Sequence, residues 1–226
     1  VSLRVVTWNI HKCIGCDGAH RPERIFAMLR QLDADLIGIQ EFDSRRRAGR
    51  SAVTPGDFGD ALRRHVLAAP TLPEGDGFHG NLLLSRWPAL QWRQFDLVAG
   101  GEPRTLLLGR FDTPEGRLDF GVTHLGLTPL LARRQARRLL AGISPRAATV
   151  LAGDFNGWLP GVGGIPVLRR HFTRGGRART FPSRLPLLSL DAVLATPPLS
   201  VEAVCAVNTR ASDHRPLVAR LRRVPG

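Results

Sequence analysis

Nine short apolar runs, punctuated by Gly, Pro and Asp, constrain this chain more than any other feature. They are Leu3–Ile10, Asp35–Gln40, Asn81–Ser85, Thr105–Phe111, Leu118–His124, Ala148–Gly153, Ser189–Ala195, Val201–Val207 and Pro216–Leu221. Apolar segments of this length between turn-forming residues read as β-strands. Three stretches carry helical spacing instead. Pro22–Leu32 has Pro near its start and Ile25, Met28, Leu29 and Leu32 on one face. Phe58–Leu67 and Leu130–Leu140 read similarly, the latter with ARRQARR on its exposed side. Many strands with few helices predict two packed sheets flanked by helices. At 226 residues and 43% hydrophobic content, without repeat or low-complexity linker, one domain over residues 1–226 is expected. Arg45–Asp57 and Pro160–Pro186 remain as long irregular stretches, and long ordered loops commonly carry function.

Polar residues recur where the strand-like runs end. Asn9 lies near the end of LRVVTWNI, Glu41 follows DLIGIQ, and His124 closes LDFGVTH. Asp154 and Asn156 close TVLAG, Asp191 opens DAVLA, and Ser212, Asp213 and His214 precede RPLVARL. Alternate residues of an extended chain point to one side, so Asp154 and Asn156 can aim at a common spot. Taken singly these are ordinary cap and turn residues. Together they supply two carboxylates for a hard cation, a further acid for a base, two imidazoles and two amides. That set suits metal-assisted hydrolysis of a phosphate ester.

Charge narrows the partners. The formal net charge is +13, with Lys12 the only lysine and no Tyr. Such a field draws polyanions, whether nucleic acid, anionic lipid headgroups or phosphorylated metabolites, without choosing among them. No apolar run approaches a membrane span. Three cysteines do not make a disulfide framework, and the first strand leaves no room for a signal peptide. A monomeric cytoplasmic protein is the expectation. His11, Cys13, Cys16 and His20 in HKCIGCDGAH could read as zinc ligands. Their spacing is tight, and two reduced thiols, able to pair on oxidation, are expected instead.

The strings WNIH, IQEFD, NLLLSRWP, VTHLG, GDFNGW, LDAVL and SDHRPL stand in the order seen in the endonuclease/exonuclease/phosphatase superfamily. The resemblance covers residue 5 to about residue 220, with GDFN and SDH its most specific parts. HLGLTPLLARRQARRLL and TFPSRLPLLSLDAVLA further resemble small bacterial members. The resemblance implies an α/β four-layer sandwich: two mainly antiparallel β-sheets packed face to face, helices outside, and the active site at one end. It implies Glu41 as the principal carboxylate for Mg²⁺ (or Mn²⁺), with Asn9 and Asp213 near the ion. Asp154 resembles the general base, and Asn156 the amide that orients the attacking water. His124 and His214 resemble the imidazoles on the scissile phosphate, and Asp191 the acid that keeps His214 protonated. Arg104 either reaches the substrate phosphate or is an exposed strand arginine. Asn81 occupies a common family position or shapes the pocket floor.

The implied activity is that of an Mg²⁺- or Mn²⁺-dependent phosphodiesterase acting on nucleic acid. Alternatives are a phospholipid, inositol-phosphate or small-molecule esterase with the same site, and a non-catalytic nucleic-acid-binding module. Apolar loop tips around the cleft would favour lipid, a basic groove nucleic acid. Trp158 and the LPGVGGIP loop are the apolar candidates visible, and no extended aromatic stacking platform is. The missing Tyr removes phenolic groups that some relatives use near the phosphate.

Overall fold

A computed structural model describes residues 2–46, 52–98 and 100–224. Along the chain run β1 (Leu3–Asn9), α1 (Pro22–Leu32), β2 (Leu36–Asp43), α2 (Pro55–Leu62), β3 (His65–Glu74) and β4 (Gly77–Ser85). Next come β5 (Gln91–Asp96), β6 (Thr105–Thr113), β7 (Gly116–His124), α3 (Pro129–Ala141), β8 (Thr149–Asp154) and α4 (Ile165–Leu168). The chain closes with β9 (Arg174–Arg177), β10 (Asp191–Ala195), β11 (Leu199–Ala206) and β12 (Leu217–Arg223). Two six-stranded sheets form, in the orders β11-β12-β1-β2-β4-β3 and β5-β6-β7-β8-β10-β9. The pairs β1–β2 and β7–β8 are parallel. The remaining neighbours are antiparallel.

The alternation of side chains along each strand sorts the core into layers. Val5, Leu36 and Leu83 of the first sheet meet Leu107, Val122, Val150 and Val193 of the second in the central layer. Their chain neighbours Val6, Ile37, Leu82 and Leu84 face outward, against Ile25 and Leu29 of α1 and Phe58 of α2. Leu106, Leu108, Leu151 and Leu194 face the opposite way, onto Ala132, Ala136 and Leu139 of α3. Strands covered on both faces become continuously apolar, which explains why the central ones stand out in the sequence. The expected four-layer sandwich is the observed fold. Among the described residues, no helix is long and apolar enough to cross a membrane.

The helix expected over Phe58–Leu67 needs correction. It starts earlier, at Pro55, where the Thr54 side chain accepts from the Asp57 backbone N–H in a capping box. It ends at Leu62, because Arg63 turns left-handed (φ 51°) and His65 opens β3. Three strands were not visible in the sequence, namely β3, β5 and β9. All three are sheet edges. β3 carries Pro70 and Pro73, β5 is the largely exposed QWRQFD, and β9 is RGGR. Edge strands tolerate Pro, Gly and charge because one side makes no ladder bonds. Of the expected irregular stretch Arg45–Asp57, residues 47–51 lie outside the described residues, and its end is the start of α2. Pro160–Pro186 contains α4 and β9.

Candidate active site

The central-layer series of side chains turn polar together at one end of the sandwich. In β1 the inward series runs Val5, Thr7, Asn9; in β7 it runs Phe120, Val122, His124; in β8 it runs Val150, Ala152, Asp154. In β10, read backwards, it runs Ala195, Val193, Asp191. Strand pairing places Asp154 opposite both His124 and Asp191. Glu41 reaches the same end by another device. Plain alternation would send it outward with Ile37 and Ile39, but the β2–β4 register shifts between Ile39 and Phe42. The bulge holds Glu41 at φ 54°, re-aiming it inward as bulges beside active sites do. Asn156 is likewise left-handed (φ 48°). Such conformations cost about 1–3 kcal/mol each and persist only where the surroundings enforce them.

The two sheets meet at Asn9, whose Nδ2 donates to Glu41 Oε1 (3.0 Å) and to Asp154 Oδ2 (3.1 Å). Asp154 Oδ1 accepts from the Asn156 backbone N–H (2.9 Å). Burial and the nearby Asp191 carboxylate push Asp154 up to about 6, against the pull of His214. The two imidazoles are set differently. His214 Nδ1 lies 2.9 Å from Asp191 Oδ2. Burial opposes its charge, but Asp191 outweighs it and the imidazole rises to about 10. His124 is held well below its ordinary range by burial and then by Arg104. Arg104 Nη1 stands 2.9 Å from His124 Nδ1. A guanidinium only donates, so Nδ1 accepts and Nε2 carries the hydrogen. His124 is therefore a neutral donor and His214 a cationic one. Both Nε2 atoms face Asp154 Oδ2, at 3.5 and 3.7 Å.

The sequence profile of the Endonuclease/Exonuclease/phosphatase family matches residues 6–214. The chain belongs to this family. It is 32% identical to the uncharacterized protein YbhP of Escherichia coli over a 255-residue alignment covering 97% of this chain and 96% of YbhP. Its fold is similar to that of an endonuclease/exonuclease/phosphatase from Beutenbergia cavernae. That comparison has a TM-score of 0.79 and 24% identity, over 98% of this chain and 72% of that one. A mannosyl-6-phosphatase from Bacteroides thetaiotaomicron superposes with a TM-score of 0.74 at 17% identity, over 97% and 99% of the two chains. Hydrolysis of a phosphate ester is the chemistry that this family membership assigns.

Within the family fold, Asn9, Glu41, His124, Asp154, Asn156, Asp191 and His214 form one connected group. Asp213 adjoins it: its Oδ1 accepts from Ser212 Oγ (3.2 Å) and lies 3.9 Å from His11 Nδ1. Arg104 is buried, bonded to Glu102 (2.7 Å) as well as to His124, so the exposed-arginine reading is wrong. It acts on His124. Asn81 spans the sheets, donating to Thr105 Oγ1 (3.3 Å), and so belongs to the floor. Cys13 is buried, and burial followed by Glu23 pushes its thiol up to about 12. Cys16 Sγ contacts Ser183 Oγ at 3.0 Å.

Sequence reasoning passed over several supporting groups. Thr180 Oγ1 donates to Asp191 Oδ2. Ser212 Oγ donates to Asn9 O (2.7 Å), and Trp8 Nε1 to His214 O (2.9 Å), tying the 212–214 turn to β1. Arg177 donates to Gly157 O (3.1 Å) while its buried Nε has no hydrogen-bond partner among the described residues. Burial and then Arg169 lower its pKa. In the sequence it is one arginine among many, and only the pairing of β9 with β10 brings it here.

Two donor sets suit a cation. Glu41 and Asp154 direct hard carboxylate oxygens at the same Asn9 amide, the donor chemistry that Mg²⁺ and Mn²⁺ take. Asp154, Asp191 and His214 can bring one ligand atom each within 4.8 Å of one another. In that second set, Nδ1 of a cationic His214 is committed to Asp191, and a protonated imidazole offers no lone pair. The Glu41–Asp154 side is the better fit.

Proposed function

We propose that the protein is an Mg²⁺- or Mn²⁺-dependent phosphodiesterase in which Asp154 activates the attacking water. The observation that carries this reading is the convergence at one end of the sandwich of Glu41 and Asp154 on the Asn9 amide, with Asn156 on Asp154 and Asp191 on His214. Burial raises Asp154 toward a base, and Asp191 outweighs burial to raise His214 toward a lasting cation. Environments that push such groups apart assign acid and base roles. Glu41, with Asn9 and Asp213 near it, would hold the cation on the side facing Asp154, and the cation would polarise a phosphoryl oxygen. Asn156 orients the water beside Asp154. His214 binds the scissile phosphate as a charged donor and His124 as a neutral one, aimed by Arg104. Preorganised donors of this kind stabilise charge where it develops. Arg177, with its unused Nε–H beside the Asn156–Gly157 turn, supplies a further contact to the anion.

The positive field suits nucleic acid, the substrate expected from the sequence, and it equally suits an anionic lipid. The test of the reaction avoids that choice by using bis(p-nitrophenyl) phosphate. Turnover should need the divalent cation and fall by about 10²–10⁴-fold in Asp154→Ala. Equal turnover by wild type and variant, or none with any divalent cation, contradicts it.

A further inference from the structure

The rim of the site carries side chains that phosphate hydrolysis alone does not use. Six of the exposed large apolar residues sit on the loops that adjoin the polar strand ends or, for Leu130, in the first turn of α3. Leu127 and Leu130 follow His124, Leu159 and Val162 follow Asn156, and Leu185 and Leu187 precede Asp191, each between 44% and 65% exposed. Trp158 packs edge-on against Phe181, with centroids 5.7 Å apart, and the Phe181 ring lies 4.9 Å from that of His214. The second and third loops therefore join beside the imidazole. Leu130 and Val162 line one groove of about 450 Å³ together with Arg133 and Arg170. A scattered exposed leucine needs no explanation, whereas apolar side chains gathered around a site mark a contact surface.

Charge says what covers it. Between Phe120 and Leu190, Asp154 is the only acidic residue, against eleven arginines. This third of the chain thus carries a surplus of ten positive charges in a molecule of net +13. Arg133, Arg170 and Arg184 are among those close in sequence to the leucines.

We infer that this rim docks on an anionic lipid membrane and that the site hydrolyses the phosphodiester of a phospholipid headgroup. The inference rests on the phosphoesterase reading above. Leucines that enter the boundary between headgroups and acyl chains lose water contact, while arginines beside them meet lipid phosphates. Duplex DNA would satisfy the arginines and leave the leucines in water. Single strands would call for an aromatic platform rather than aliphatic tips.

The full chain is sedimented with phosphatidylcholine vesicles, with and without phosphatidylglycerol, and titrated separately with duplex DNA. Leu159→Ser/Leu187→Ser and Leu127→Ser/Leu130→Ser are compared with wild type, after circular dichroism shows which variants are folded. Wild type should bind the phosphatidylglycerol vesicles and hardly the neutral ones. A folded double variant should bind them at least about tenfold more weakly, as expected for losing two apolar side chains from the interface. The docking surface is overturned if wild type ignores phosphatidylglycerol vesicles or if folded variants bind them as tightly as wild type. Tighter binding to duplex DNA, insensitive to the leucines, also overturns it. Wild type that turns over bis(p-nitrophenyl) phosphate yet fails to bind phosphatidylglycerol vesicles sinks the surface alone. Vesicle binding without turnover of any phosphate ester sinks the reaction instead.

Discussion

Asp154 sits in a protein interior that resists its charge, because burial and Asp191 both favour the protonated form. Its pKa is raised, so the associated stability is present below the ordinary value of 3.8 and is lost as pH rises through about 6. Above that pH the ionised carboxylate strains the fold and is ready to act as a base. Asp154→Asn should therefore gain stability, on the order of 1–3 kcal/mol near neutrality, while losing turnover. Urea unfolding of both proteins checks the first effect. His214 is also raised, but here the favoured form is the cation. Its contribution is full below the ordinary 6.5 and is lost as pH climbs through about 10. NMR titration should find the His214 imidazole still protonated well above neutrality, and Asp191→Asn should lower that titration point. An imidazole that titrates at its ordinary value in the wild type would contradict this. These residue types were legible at strand ends in the sequence. The tautomer of His124 was not, because it depends on which ring nitrogen Arg104 meets.

The strands explain why so few residues suffice. Each central strand is an apolar ruler whose last inward-facing position is polar, and packing the sheets aligns those positions. The alternation was readable in Val5–Asn9 and Val150–Asp154, so most of the site was too. Glu41 was readable as a residue but not as an inward one, since a bulge is a break in the very pattern that sequence reading uses. The edge strands β3, β5 and β9 were illegible for the complementary reason: what protects an edge also erases the apolar signal. Sheet separation below the site depends on Gly38, where an added Cβ would come 2.9 Å from Val122 Cγ2. Gly38→Ala should destabilise by about 1–3 kcal/mol through overpacking, visible as a lowered melting temperature. Thr54→Ala, which removes the cap of α2, should cost about 1 kcal/mol without altering turnover. These two substitutions separate packing from capping.

At the scale of the whole molecule, charge and layer order divide the labour. Four layers bring Asn9 of one sheet against Asp154 of the other, and neither half holds the group alone. The net charge was obvious from the sequence; its concentration between Phe120 and Leu190 gained meaning only once Arg133 and Arg170 were found lining one groove with Leu130 and Val162. The account stands or falls on whether this convergence performs phosphoester hydrolysis. Its most direct measurement is the hydrolysis of bis(p-nitrophenyl) phosphate by wild type, Glu41→Gln and Asp154→Asn, after chelation and after return of Mg²⁺ or Mn²⁺. The account predicts turnover only with the cation, a higher cation requirement in Glu41→Gln, and a loss of about 10²–10⁴-fold in Asp154→Asn. Turnover that survives chelation, or an Asp154→Asn variant as fast as wild type, would contradict it.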